Sequence, residues 1–143
     1  MKVEFPEAVE ALERIFELEL AGVVRFTHYA LMARGPHRLP IVDFFDEQAT
    51  ESLTHAQRAG QVLTGLGGHP KMHVAPVEET GQHGIRDLLE EAHAHERRAI
   101  DAYRALLEVV ADKNIFLEEY ARGMVATEEE HLFELSKMLR DFE

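Results

Sequence analysis

The sequence predicts an all-α domain, a four-helix bundle in which two antiparallel helix hairpins are joined by a long crossover. Three observations lead there. Apolar residues recur at helical spacing in four stretches of the chain. Clusters of glycine and proline separate those stretches. No sustained apolar/polar alternation, and no Asn-Gly or Asp-Gly pair, marks a strand or a strand hairpin.

The first helix is expected from Pro6 to Arg34, with proline where the first turn tolerates a missing N–H. Gly35-Pro36 and Pro40 bracket a short turn, which makes the next helix an antiparallel neighbour. The second helix is expected from Pro40 to Leu66, stopped by Gly67-Gly68-His69-Pro70, a glycine cap followed by proline. From Gly67 to Gly84 the helical period is lost and apolar content is low. That stretch is long for a hairpin loop and suits a crossover from one end of the bundle to the other. The third helix is expected from Ile85 to Ala111, then a tight turn at Asp112-Lys113-Asn114. The fourth helix runs almost to Glu143.

The bulk properties narrow the function classes. A chain of 143 residues, 45% apolar and 29% charged, has the size and composition of one globular domain, residues 1–143. No run approaches the roughly 20 apolar residues of a membrane helix, so no membrane association is expected. Met1-Lys2-Val3-Glu4-Phe5-Pro6 lacks the apolar stretch of a secretory signal, and a cytoplasmic location is expected. With no cysteine, disulfides, thiolate zinc sites and cysteine nucleophiles are excluded. A formal net charge of -12 repels phosphate backbones, so no nucleic-acid partner is expected, whereas cations are attracted. The same charge also serves solubility.

Each apolar stripe is interrupted by ionisable residues. In the first helix Leu12, Ile15 and Phe16 lead to Glu19, then Gly22, Val23, Phe26 and Ala30. The second reads Phe44, Phe45, Gln48, then Glu51 and His55, then Ala59, Val62 and Leu66. The third places Glu96 between Leu88, Leu89, Ala92 and Ala99, Tyr103, Leu106, Val110. The fourth places Glu128 and His131 between Leu117, Tyr120, Met124 and Leu135, Met138, Phe142. All lie near mid-helix, and at about 1.5 Å rise per residue such positions reach similar heights in an antiparallel bundle.

Four converging carboxylates need neutralising. An unpaired buried ion costs several kcal/mol, against a domain stability of about 5–15 kcal/mol. Mutual repulsion and two imidazole donors point to bound divalent cations. Glu128 and His131 are three residues apart and share a face. One carboxylate from each of two helices, with a Glu/His pair from each of the other two, is the ligand set of di-iron carboxylate bundles. Oxygen and imidazole donors without thiolate suit iron or manganese, with zinc as a substitute. A single Glu-x-x-His arises often by chance; four stripe interruptions at matching depth do not.

These residues resemble the bacterioferritin and ferritin-like di-iron carboxylate family over about Phe5 to Arg140. The best stretches are Glu19-Leu20-Ala21, Glu51-Ser52-Leu53-Thr54-His55-Ala56, His95-Glu96-Arg97-Arg98-Ala99-Ile100 and Glu128-Glu129-Glu130-His131. The resemblance implies a ferritin-like bundle whose metal ligands fall on Glu19, His55, Glu96, Glu128 and His131. It further implies two iron ions per chain, oxidation of iron(II) by oxygen or peroxide, and, in cage-forming members, storage of ferric mineral. A homo-oligomer, at least a dimer, goes with it. Three departures stand out. The family has a glutamate three residues before the second-helix histidine, but that place is Ser52, and Glu51, four residues before His55, is the available bridging carboxylate. Haem-binding members carry a methionine where this chain has Leu53, so haem is not expected. The pattern ends with the fourth helix, so the short fifth helix of 24-subunit cages is not expected.

On this reading Glu51 and Glu128 bridge two irons, Glu19 and Glu96 bind one each, and His55 and His131 complete the sites, giving a ferroxidase. Two alternatives stay open. One is a ferritin-like di-metal peroxidase or oxygenase that stores no iron. The other is a non-catalytic interaction module whose glutamates pair with arginines. Among the remaining candidates, His95 is expected to flank Glu96, Tyr103 and Tyr120 to face inward, and His28 and His93 to lie off the stripes.

Overall fold

Phe5 turns the chain through a left-handed backbone (φ 51°), and Pro6 then opens the first helix, α1 (Pro6–Met32). The computed structural model describes residues 2–142, and three further helices follow: α2 (Arg38–Gly65), α3 (Ile85–Val110) and α4 (Ile115–Leu139). A 3-10 turn, Arg140–Phe142, extends α4; Glu143, near which the fourth helix is expected to stop, lies outside the described residues. No strand forms among the described residues, and the all-α four-helix bundle stands as expected.

The helix ends differ from expectation by one or two residues, each for a local reason. Ala33 is extended (φ −60°, ψ 132°), so α1 stops before Arg34. α2 starts at Arg38, and Pro40 falls in its first turn, where no intrahelical donor is required. Asp112 takes φ 64° in the α3–α4 turn, and the Asn114 side chain caps α4 by accepting from the Leu117 N–H at 2.9 Å. Such a cap contributes about 1 kcal/mol.

α1 packs on α2, α3 packs on α4, and α1 also faces α3. Leu66 to Gly84 is the crossover. Gly67 has φ 88°, the left-handed step after a helix end, and a Cβ there would come 2.7 Å from the Lys2 carbonyl oxygen. The crossover then runs past α1 and on to α3: the Ala75 N–H donates to the Glu17 carbonyl at 3.2 Å, and Thr80 Oγ1 donates to Glu91 of α3 at 3.0 Å.

The core has two apolar halves. One gathers Leu12, Ile15, Leu63, Tyr103, Leu106 and Leu117; the other gathers Phe26, Tyr29, Phe45, Leu88, Leu89 and Leu135. Each fully buried side chain of this kind contributes roughly 1.5–3 kcal/mol. Between the halves lies a polar layer drawn from all four helices: Glu19 and Gly22, then Gln48, Ser52 and His55, then His95 and Glu96, then Glu128 and His131. The two hydrophobic clusters on either side hold that layer in place.

Candidate metal centre

The polar layer forms where mid-helix positions of all four helices meet, as the interrupted stripes predict. Glu19, Glu96 and Glu128 are each 2% exposed. His55 and His131 are mostly buried, their rings stacked with centroids 6.4 Å apart. Nδ1 of His55 lies 3.1 Å from Glu19 Oε2 and 2.9 Å from Glu128 Oε1. Nδ1 of His131 lies 3.4 Å from Glu128 Oε2 and 3.9 Å from Glu96 Oε2. Two triads result, Glu19–His55–Glu128 and Glu96–Glu128–His131, each with its donor atoms within 4.8 Å of one another. Glu128 belongs to both.

The sixth sequence candidate is placed differently. The inner face of α2 runs through Phe45, Gln48, Ser52, Ala56, Ala59 and Leu63, so Ser52 rather than Glu51 takes the inward step. Glu51 sits about 100° further around the helix, with 47% of its side chain exposed. Its Oε2 still reaches to 2.6 Å from Nε2 of His131, but it lies in neither triad.

The electrostatics of the layer follow from burial and close approach. Burial raises Glu19, an effect only partly offset by His55. Burial also acts on both Glu96 and Glu128, and their close approach then splits the pair. Glu96 is pushed well above the usual carboxylate range, while Glu96, His131 and His55 hold Glu128 below it. Burial lowers the two imidazoles, yet Glu128 with Glu19 lifts His55, and Glu128 with Glu96 lifts His131, each to about 10. Protons therefore balance the cluster, and a metal that binds these groups must displace them.

The residues fit a pair of divalent ions. Glu96 Oε2, Glu128 Oε1 and His131 Nδ1 are buried and make no hydrogen bond. Donors bound at about 2.1 Å sit at most about 4.2 Å apart across one ion, close to the separations within each triad. Among the described residues no lysine or arginine pairs with Glu19, Glu96 or Glu128. Arg25 is buried, but it turns to Tyr29 Oη (3.4 Å) and Glu78 Oε2 (3.7 Å). This removes the arginine pairing on which an interaction-module reading depends.

Several neighbours complete the site. Tyr103 Oη donates to Glu19 Oε2 at 2.7 Å, so one oxygen of Glu19 is held from α3. His95 is 1% exposed, with neither ring nitrogen hydrogen-bonded. Burial first, then Arg25 and Arg98, lower it to about 3, which keeps it neutral. It packs edge-on against Phe26, with centroids 5.5 Å apart. Gly22 lets Ser52 and His95 approach α1; a Cβ there would lie 2.7 Å from Ser52 Oγ and 2.9 Å from His95 Nε2. Sequence reasoning places Gly22 on the first-helix stripe without a part in the site, and gives Ser52 no inward place. The one available signal is their spacing, three residues before His55 and three after Glu19.

Comparison with known proteins places this geometry. A ferritin-like, diiron-carboxylate protein from Bacillus anthracis superposes with a TM-score of 0.89 at 26% identity, over 97% of this chain and 99% of that one. A dodecameric thioferritin, the bacterioferritin-related protein of Bacteroides fragilis, gives 0.86 at 23% identity, over 99% and 89%. The bacterioferritin of Desulfovibrio desulfuricans, described with its diiron site, gives 0.82 at 21% identity, over 95% and 80%. No curated protein matches the chain in sequence. The family model of the ferritin-like domain matches residues 9–143, a span that takes in both triads and all of the four helices except the first three residues of α1. With the bundle, its crossover and that match in agreement, the chain belongs to the ferritin-like domain family.

Proposed function

We propose that this chain binds two divalent metal ions between its four helices and oxidises iron(II) there, with oxygen or peroxide as the oxidant. The observation that carries the reading is the pair of triads joined through Glu128, whose buried carboxylate and imidazole atoms crowd together with no lysine or arginine among the described residues to balance them. Glu19, His55 and Glu128 would hold one ion, and Glu96, Glu128 and His131 the other. An iron pair bound there supplies two one-electron oxidations side by side.

The protein's own contribution is placement and charge. Glu128 stands between the sites and is the group held most strongly anionic. Glu96 and the imidazoles release protons as metal arrives and can take them back as it leaves. Tyr103 fixes Oε2 of Glu19, the oxygen that also faces Nδ1 of His55, and so orients this carboxylate toward its triad. The apolar halves above and below exclude water and hold the ligand helices in register. The likeness to a diiron-carboxylate protein favours iron over manganese or zinc, and the likeness to a dodecamer favours a homo-oligomer.

Adding iron(II) aerobically to metal-free protein tests the reading through the near-ultraviolet absorption of ferric product. We expect a fast phase that saturates at two iron(II) per chain and is absent in Glu128→Ala. An oxidation rate no faster than in buffer, with helical circular dichroism intact, rules it out.

A further inference from the structure

The two halves of the cluster are unequal. In α4 the carboxylate three residues before the histidine, Glu128, points into the bundle and serves both triads. In α2 the residue three before the histidine is the buried Ser52, and the nearest carboxylate, Glu51, faces the edge of the bundle. Glu51 nevertheless has a definite partner, since its Oε2 lies 2.6 Å from Nε2 of His131. The other nitrogen of that ring, Nδ1, is buried, has no hydrogen bond, and lies between Glu128 Oε2 and Glu96 Oε2.

An imidazole that gives its Nε2–H to a carboxylate keeps its lone pair on Nδ1. Nδ1 of His131 lies where the second triad converges, so once metal displaces its proton the lone pair is available there. Metal-ligating histidines are commonly held in this manner by a carboxylate behind the ring, which fixes the tautomer and the ring orientation. Glu51 has the position of such a partner, its Oε2 forming an ion-pair contact 2.6 Å behind the ring at Nε2. It lacks the geometry of a bridge, because a bridge must reach both triads and Glu51 is in neither.

We propose that Glu51 is a positioning residue for His131, that Ser52 fills the inward place a second bridging carboxylate would need, and that Glu128 is the one shared carboxylate of a single-bridge centre. This rests on the two-metal reading above. It adds an asymmetry: Glu51 acts on the Glu96–Glu128–His131 half only, and it does so from the solvent side. The Glu19–His55–Glu128 half has its corresponding support from Tyr103 on the carboxylate, not on the histidine.

Titration of the metal-free full chain with cobalt(II) tests this, followed by visible absorption and by proton NMR of the cobalt-shifted exchangeable imidazole N–H signals. The wild-type chain is expected to take up two cobalt ions. In Glu51→Gln two are still expected, one bound about 10–100-fold more weakly and the other within about twofold of wild type. The His131 N–H signal is expected to move or to exchange faster. A merely structural role would not move that signal at one site alone, and Glu51 is exposed enough for the variant to fold. Uptake of only one cobalt by Glu51→Gln would overturn the proposal in favour of a bridging ligand. Unchanged affinities with an unchanged N–H signal would overturn it as well. Uptake of fewer than two ions by the wild-type chain removes the two-metal reading itself, and is seen before any substitution is made.

Discussion

Replacing Glu128 by alanine should have twice the effect on metal-linked stability that replacing Glu19 has, because Glu128 serves both triads and Glu19 only one. The magnitude follows from linkage. A ligand at about 100 times its Kd stabilises the folded state by about 2.7 kcal/mol per site, so two sites give about 5.4 kcal/mol. For a chain of this size each kcal/mol moves Tm by about 3–5 °C, so saturating metal should raise Tm by about 16–27 °C. Glu19→Ala leaves the Glu96–Glu128–His131 triad whole and should keep about half of that rise. Glu128→Ala leaves each triad with two donors and should abolish nearly all of it. Scanning calorimetry of each protein, metal-free and with saturating cobalt(II), measures the rise as a difference, so changes in metal-free stability cancel. Equal residual rises in the two variants would refute the shared-ligand reasoning, as would a Glu128→Ala protein that keeps more than half of the wild-type rise.

Two other outcomes follow from the layer. In the metal-free protein His55 and His131 titrate at about 10 rather than 6.5, so the stability they contribute is complete below pH 6.5 and is lost as pH rises through 10. Glu19 and Glu96, also raised, act in the same sense from pH 4.5 upward, while the loss tied to the depressed Glu128 is confined to pH below 4.5. Tm of the metal-free protein should therefore fall from pH 6.5 to 10 and stay nearly level when metal holds the ligands deprotonated; a rise across that window contradicts the proton balance. Gly22→Ala would bring a Cβ within 2.7 Å of Ser52 Oγ and should cost about 1–3 kcal/mol in urea unfolding, less the roughly 1 kcal/mol by which alanine favours a helix. A double-mutant cycle with Ser52→Ala should show favourable coupling, because the nearest colliding atom is gone; additive effects would place the strain elsewhere.

The bundle was legible because its punctuation is strong. Pro6, the Gly35–Pro40 turn, the Gly67–Pro70 stop and the Asp112–Asn114 turn bound four periodic stretches, and at these breaks the helix ends follow within two residues. Glu19, Glu96 and Glu128 were legible because a carboxylate in an otherwise apolar stripe has few explanations. α2 was harder to read. Its inner face carries Gln48, Ser52 and His55 near mid-helix, so polarity does not separate inside from outside there. The charge on Glu51 then draws a pattern reading one residue away from the true inward position. Contacts between distant segments leave no local trace. The Tyr103–Glu19 hydrogen bond spans 84 positions, and Arg25 is buried under a crossover whose path sequence alone does not specify. His95 looked like a flank of Glu96, and only the close packing of α1 against α3 at Gly22 encloses it.

Crystallography of the iron-loaded protein, with anomalous scattering recorded at the iron edge, tests the two-metal centre most directly. Two iron peaks per chain are expected, both within bonding distance of Glu128, one also beside Glu19 and His55, the other beside Glu96 and His131. One peak per chain, or peaks that leave Glu128 unbound, would contradict it.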